Sequence, residues 1–163
     1  MNSFFSKYYL DLQKRINKVQ DIAWIEQDFG QDSNDKWRAN VAFPAVLIDF
    51  ASADYENIAS GGGTATVTVS IRLLVSTFSQ SYELAPDAVK EKALEYFELE
   101  QRLIDVLHGW QPRRGYTQPL MLTRTTSSNK NNLGIRIREM QFTTAFQEYE
   151  DNKNNNVKIV IIN

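Results

Sequence analysis

The clearest pattern in the chain is the run Thr64–Phe78, TATVTVSIRLLVSTF. Its odd positions from Ala65 to Val75, namely Ala65, Val67, Val69, Ile71, Leu73 and Val75, are all apolar, and its even positions from Thr64 to Arg72 are all polar. Side chains of a strand alternate between faces, so this pattern predicts an unusually long strand that buries its odd set and leaves its threonines outward. The remaining elements are expected to gather on that buried face.

Residues 3–20 predict a helix, with Phe4, Phe5, Tyr8, Leu12, Ile16 and Val19 at three- and four-residue steps and Lys7, Asp11, Lys14 and Arg15 opposite. Ser3 or Asn2 is placed to cap its first turn. A short strand is expected within Ile22–Phe29. The polar stretch Gly30–Arg38 then reads as an exposed loop carrying one tryptophan, Trp37. Val41–Phe50 predicts a second strand, apolar on both sides: Phe43, Ala45 and Leu47 on one, Val46, Ile48 and Phe50 on the other. Such a strand needs cover on two faces, while Pro44 restricts that part to an edge or to the strand's first residue. Together these features suggest burial against another subunit. Ala51–Gly63 is expected to connect this strand to the long one.

A second helix is predicted from Pro86, a residue favoured in the first turn, to His108, with Gly109 as its stop. Val89, Ala93, Tyr96, Phe97, Leu103, Ile104 and Leu107 form its stripe. Two strands follow, Gln118–Thr126 and Leu133–Phe146, around the polar tip Ser127–Asn132. In the later strand the apolar residues change parity, from Leu133, Ile135 and Ile137 to Met140, Phe142 and Phe146. One inserted residue would produce that change, so a β-bulge is expected near Arg138–Glu139. The chain closes with an asparagine-rich stretch and VKIVII, Val157–Ile162. An uncovered strand of that composition is an aggregation hazard, so it must pair with its own sheet or with a neighbour's.

The order of elements predicts an α+β fold, a mainly antiparallel sheet with two helices on one face, α-β-β-α-β-β plus a C-terminal strand. Residues 1–150 read as a single domain, 151–156 as a polar linker and 157–163 as the terminal strand. The 163 residues hold no cysteine and carry a net charge of −2. The first fact excludes disulfides and thiolate chemistry, and the second gives no reason to expect anionic membranes or sequence-specific nucleic acid. The first residues, MNSFFSKYY, lack the basic start and apolar core of a secretory signal, and no run approaches the ~20 apolar residues of a membrane helix. A soluble, cytoplasmic protein is the expectation.

Candidate chemistry is sparse. Asp87, Glu91, Glu95, Glu98 and Asp105 lie on the second helix, several spaced to pair with Lys or Arg, and read as its solvated face. His108 is the only histidine and, without cysteines or a serine elbow, reads as a helix-end residue favoured by the macrodipole. The run Gly61–Gly63 lacks the spacing and lysine of a phosphate loop and reads as a hairpin tip. Arg113 and Arg114 are a candidate anion contact. No catalytic residue, cofactor or metal site is expected, and the chain is not expected to be an enzyme.

The strand FPAVLIDF, the glycine-tipped loop leading into a long alternating strand, and the helix ending LHGW resemble the tail-terminator, or tail-completion, proteins of long-tailed bacteriophages and related prophages. The resemblance spans about residues 3–147. It implies a virion structural protein, an α+β subunit of a homo-oligomeric ring, typically a hexamer. Such a ring caps the tail tube at the head–tail junction, with tail-tube and head-connector proteins as partners. It also implies assembly in the bacterial cytoplasm and a final place in the virion tail. Trp37, Phe43, Val157, Ile159, Val160, Ile161 and Ile162 are the candidate subunit-interface residues. A monomeric binding module for an anionic ligand, using Arg113 and Arg114, is the alternative.

Overall fold

The computed structural model describes residues 3–34, 36, 40–58, 62–76, 79–113, 117–128, 134–150 and 157–158. Its elements are α1 (Phe4–Ile16), β1 (Trp24–Gln27), a 3-10 turn (Gln31–Ser33), β2 (Ala45–Ile58), β3 (Gly62–Ser76), α2 (Asp87–Leu107), β4 (Met121–Ser127), β5 (Ile135–Glu150) and β6 (Val157–Lys158). One sheet holds all the strands in the order β1-β2-β3-β5-β4, with β6 on β5. β1 runs parallel to β2, and every other pair is antiparallel. The architecture is the expected α+β class.

β3 sits at the centre, paired along its length with β2 on one side and β5 on the other. Its odd residues are buried as their alternation requires: Ala65, Val67, Val69, Ile71 and Leu73 are at most 1% exposed. Both helices cover that face. Phe4, Tyr8, Leu12 and Ile16 of α1 and Leu99, Leu103 and Leu107 of α2 meet Val46 and Ile48 of β2 and Met140, Phe142 and Phe146 of β5. The ring of Phe4 stacks on Phe146 with centroids 3.7 Å apart, and Phe5 meets Phe50 edge-on at 5.1 Å. Burying a side chain of this size contributes about 1.5–3 kcal/mol, so this single layer supplies most of the driving force. The Arg15 Nε donates to the Val106 carbonyl at 2.7 Å and ties the two helices together.

Several expectations need correction. No bulge interrupts β5: its register with β3 is continuous from Ile135 to Tyr149. The parity change arises because both faces of the sheet are covered at that end. Ile135 and Ile137 belong to a second apolar cluster on the face away from the helices, with Ala45, Leu47 and Leu74 and flanking Val41 and Phe43. The bulges lie instead in β2 at Ala51 and in β4 at Thr123, where each strand carries one residue more than its partner. β2 does not stop at Phe50 but passes its bulge and runs to Ile58, so most of the expected connection is strand.

The ends of the helices also differ. α1 stops at Ile16, and Val19 reaches the core from the turn that follows. Ser3 occupies the N-cap position with extended backbone but makes no side-chain capping bond, and Asn2 lies outside the described residues. Pro86 is the residue before α2 rather than its first, and Gly109, at φ 74°, ends the helix as expected. On α2, Phe97 is 43% exposed, while Leu99 and Glu100 are buried. The second side of β2 is covered within the chain itself, by Leu74, Ile135, Ile137, Val41 and Phe43. Its two-sided pattern therefore does not call for burial against another subunit. Pro44 directly precedes the strand.

Tyr8 is fully buried, and its hydroxyl lacks a well-formed hydrogen bond. The nearby Thr144 hydroxyl donates to the Gln118 carbonyl at 2.7 Å. Burial pushes the Tyr8 phenol up to about 12, against a smaller lowering by Thr144. A raised phenol pKa means that the neutral form favours the fold. That contribution is complete below the unfolded value of about 10 and is lost as pH rises towards 12.

Two predictions follow from this packing. Ile71→Ala and Leu74→Ala, on opposite faces of β3, should each cost about 2–5 kcal/mol in denaturant melts. Thr68→Ala should stay within roughly 0.5 kcal/mol; equal losses at Thr68 and Ile71 would mean that the faces are misassigned. Tyr8→Phe should change stability by less than about 1 kcal/mol at pH 7. It should also flatten the decline in denaturation midpoint between pH 9 and 11.5. An unchanged alkaline decline would place its origin elsewhere.

Candidate assembly surface

The sheet face opposite the helices divides into a covered end and an open end. At the covered end Val41 and Phe43, from the segment between β1 and β2, pack on the second apolar cluster. Arg72, on an even position of β3, reaches the same segment and binds Asp28 and Asp32, each at 2.8 Å, with a further 3.2 Å contact to Asp32. Burial alone would lower the guanidinium, but hydrogen bonds and charge from Asp32 and Asp28 more than offset it and hold its pKa above the ordinary arginine value. The 3-10 turn carrying Asp32 is locked further: Gln31 is buried, accepts from the Phe29 N–H at 2.9 Å, and donates to the Gln27 carbonyl at 2.7 Å. Within the stretch expected to be an exposed loop, Gln31 and Asp32 are drawn against the sheet, while Gly30, Ser33, Asn34 and Lys36 are exposed as expected. Aspartates one and five residues past β1's end are the only sequence signal for this turn, and they resemble any polar loop.

A second ion pair fixes α2 on the other face. Arg138 of β5 makes a two-pronged contact with Glu100, 2.7 Å and 2.9 Å, and lies 5.4 Å from the Phe97 ring centroid. The Glu100 hydrogen bonds raise the Arg138 pKa, over the opposing effect of burial. Arg136 sits likewise over Tyr96, at 5.0 Å.

Beyond these anchors the second face is open and polar. Register places Ser52, Asp54 and Glu56 of β2 beside Thr68, Thr66 and Thr64 of β3, and these beside Thr143, Ala145 and Gln147 of β5. The edges are unequal. β1 pairs only Ala45–Ile48, and the last contact on that edge is the Asp28 N–H to the Ile48 carbonyl, 2.8 Å. From Asp49 to Ile58 no described strand lies on the outer side of β2. The outer side of β4 is also a sheet edge.

The candidate residues fall in different places. Phe43 is half-buried, packs on the second apolar cluster and lines a cavity of about 270 Å³ with Pro44, Tyr96, Leu99 and Arg102. Val157 and Lys158 pair with Glu150 and Tyr149 of β5. Trp37, Arg114 and Ile159–Ile162 lie outside the described residues, as do two of the hairpin-tip glycine run's neighbours, Ala59 and Ser60, and Gly61 itself. Arg113 donates from its Nε to Asp11 at 2.9 Å. His108 follows α2, and its Nδ1 accepts the Leu122 N–H at 3.1 Å, a structural tie between the helix end and β4. Among the described residues no three His, Cys, Asp or Glu side chains are grouped to hold a metal ion, and no helix is long and apolar enough to cross a membrane.

No family model matches the chain, and no curated protein matches it. A solved chain from the virion of a native gene transfer agent (GTA) particle is similar over 86% of this chain and 90% of that one, at 13% identity and a TM-score of 0.44. At that score the likeness carries no argument about function.

The Arg72 anchor is testable. Arg72→Met keeps most of the side chain's volume but strands two half-buried carboxylates, so it should cost about 3 kcal/mol in denaturant melts. Asp28→Asn combined with Asp32→Asn in the same Arg72→Met chain should recover part of that loss. No recovery would show that Arg72 stabilises the fold by packing alone.

Proposed function

We propose that this chain is a virion structural subunit of the tail-terminator kind, which assembles with copies of itself into a ring closing the end of a phage or prophage tail tube. The observation that carries this reading is the combination of a helix-covered core with a long sheet extension whose second face and β2 edge are open. A polar sheet face is ordinary in water. A long edge strand left without a partner, however, is a template for another chain, and proteins that stay monomeric usually shorten or cover it. The motifs FPAVLIDF and LHGW, and the order of elements around them, support the same reading. Near-neutral charge suits dense assembly with tail-tube and head-connector proteins. In this role the protein is a scaffold and performs no catalysis, and His108 serves only to hold β4 to α2. In the alternative of an anion-binding monomer, Arg113 would have to serve with its Nε already paired to Asp11.

The test is direct. Full-length protein examined by sedimentation and negative-stain microscopy, alone and with purified tail tubes, should form rings or cap tube ends. Tails assembled without it should be of uncontrolled length and fail to join heads. A chain that stays monomeric, binds no tubes and leaves tail length unaffected when removed would overturn the proposal.

A further inference from the structure

We infer that the C-terminal segment Val157–Ile162 of one copy adds as a strand to the open edge of β2, Asp49–Ile58, in the next copy. The inference rests on the ring reading above and names the contact that would build it.

Four observations converge on that edge. The first is length. β2 has 14 residues and β1 pairs four of them, which leaves Asp49–Ile58 without a described neighbour on its outer side. At about 3.3 Å per residue this edge offers more than the ~20 Å that a six-residue strand needs. Its outward backbone groups are a ready template for another chain.

The second is that the chain's own sheet cannot take the whole segment. β6 begins beside the end of β5, with Glu150 opposite Val157 and Tyr149 opposite Lys158. Continued in that register, Ile161 would fall opposite Phe146, where Thr117 already bridges and the Gln118 N–H already reaches the Ala145 carbonyl at 2.8 Å. The segment therefore gains a full ladder only by leaving this edge, and the pairing of Val157 and Lys158 with β5 is all that it gives up in doing so.

The third is surface chemistry. On the helix side of the β2 edge, Phe50 and Ala53 are half-buried and Tyr55 is 56% exposed, an apolar row that ends in open surface. On the other side stand Asp49, Ser52, Asp54 and Glu56, all exposed. Alternation along VKIVII puts Val157, Ile159 and Ile161 on one side of any strand it forms. Lys158 falls on the other, with Val160 and Ile162. The apolar set suits the aromatic row, and the single charge of the segment suits the acids. The outer edge of β4 fits poorly by comparison: its exposed residues include Arg124, which would meet Lys158 with like charge.

The fourth is symmetry. Two β2 edges brought together would set Asp54 and Glu56 against their own copies, so charge opposes a two-fold contact. An edge that rejects itself but accepts a different segment of the same chain gives a head-to-tail interface, and head-to-tail interfaces close into rings. The segment also leaves from a suitable place. β5 ends at the same end of the sheet as the β2–β3 hairpin, since Gly62 pairs with both Ile58 and Tyr149. Residues 151–156 can span up to about 20 Å.

The absence of cysteine makes a direct test available. Full-length Lys158→Cys is mixed one to one with Ser52→Cys, Asp54→Cys or Glu56→Cys, each at an exposed position, and oxidised. Arg124→Cys is the control for the β4 edge, and circular dichroism melts confirm that each variant folds. The expected result is a disulfide-linked dimer between the two different chains for at least one β2 position, absent with Arg124→Cys. Three results would overturn the inference. If no β2 position links while the same samples sediment as oligomers, the ring reading stands and the interface lies elsewhere. If links form only with Arg124→Cys, the segment uses β4. If nothing links and the unmodified chain is monomeric with and without tail tubes, both the contact and the ring fail.

Discussion

The long pairing of β3 with β5 runs without a break in register from one end of the sheet to the other, and it decides which way every side chain of the two strands points. A single inserted residue in either strand would turn Ile71 or Phe142 out of the helix-covered core and drive polar neighbours in. The irregularities are exported to the outer strands, at Ala51 in β2 and Thr123 in β4, where the twist can increase without disturbing that core. The same register fixes the second face. Leu74 lies beside Ile137, and Arg72 beside Glu139 one step further on, so the apolar patch and the cation that pins the turn after β1 are built by the same pair of strands.

Two ion-pair anchors of opposite location then fasten the outer layers. Arg138 holds α2 through Glu100 on one face, and Arg72 holds the turn after β1 through Asp28 and Asp32 on the other. Each charge has a geometrically good partner, which is the condition under which a poorly hydrated guanidinium is tolerated. Toward the far end of β2 lie a hydroxyl- and acid-bearing face, an apolar row on the helix side and an edge without a described strand.

The parts of this arrangement legible in the sequence are those written as periodicity. The odd set Ala65–Leu73 and the three- and four-residue spacing from Phe4 to Ile16 each specify a single covered face, and both were readable. Leu133–Phe146 misled because its parity change looks the same whether a residue is inserted or the covered face changes. Only knowledge of the second apolar cluster separates the two. Glu100 was hidden by belonging to a run of acids on α2 that otherwise faces solvent; its partner lies 38 residues away on β5. β2 beyond Phe50 escaped notice because Ala51–Ile58 is mostly polar. A stretch packed on the core mainly through Ala53 carries little hydrophobic alternation to detect. The interface candidates were readable as composition, in the β-branched VKIVII, but the edge that suits them is a property of the sheet and not of any local motif.

Amide hydrogen exchange across a concentration series of the full-length protein tests most directly whether the β2 edge is an assembly surface. In dilute solution the outward amides of Asp49–Ile58, those not bonded to β3, and the amides of Val157–Ile162 should exchange far faster than those of Val67–Leu73, which are paired on both sides. As the chain associates, the two fast sets should gain protection together and at the same concentration. Association with protection gained in other segments, while the outward amides of Asp49–Ile58 stay fast, would contradict the assignment of the β2 edge as the place where copies join.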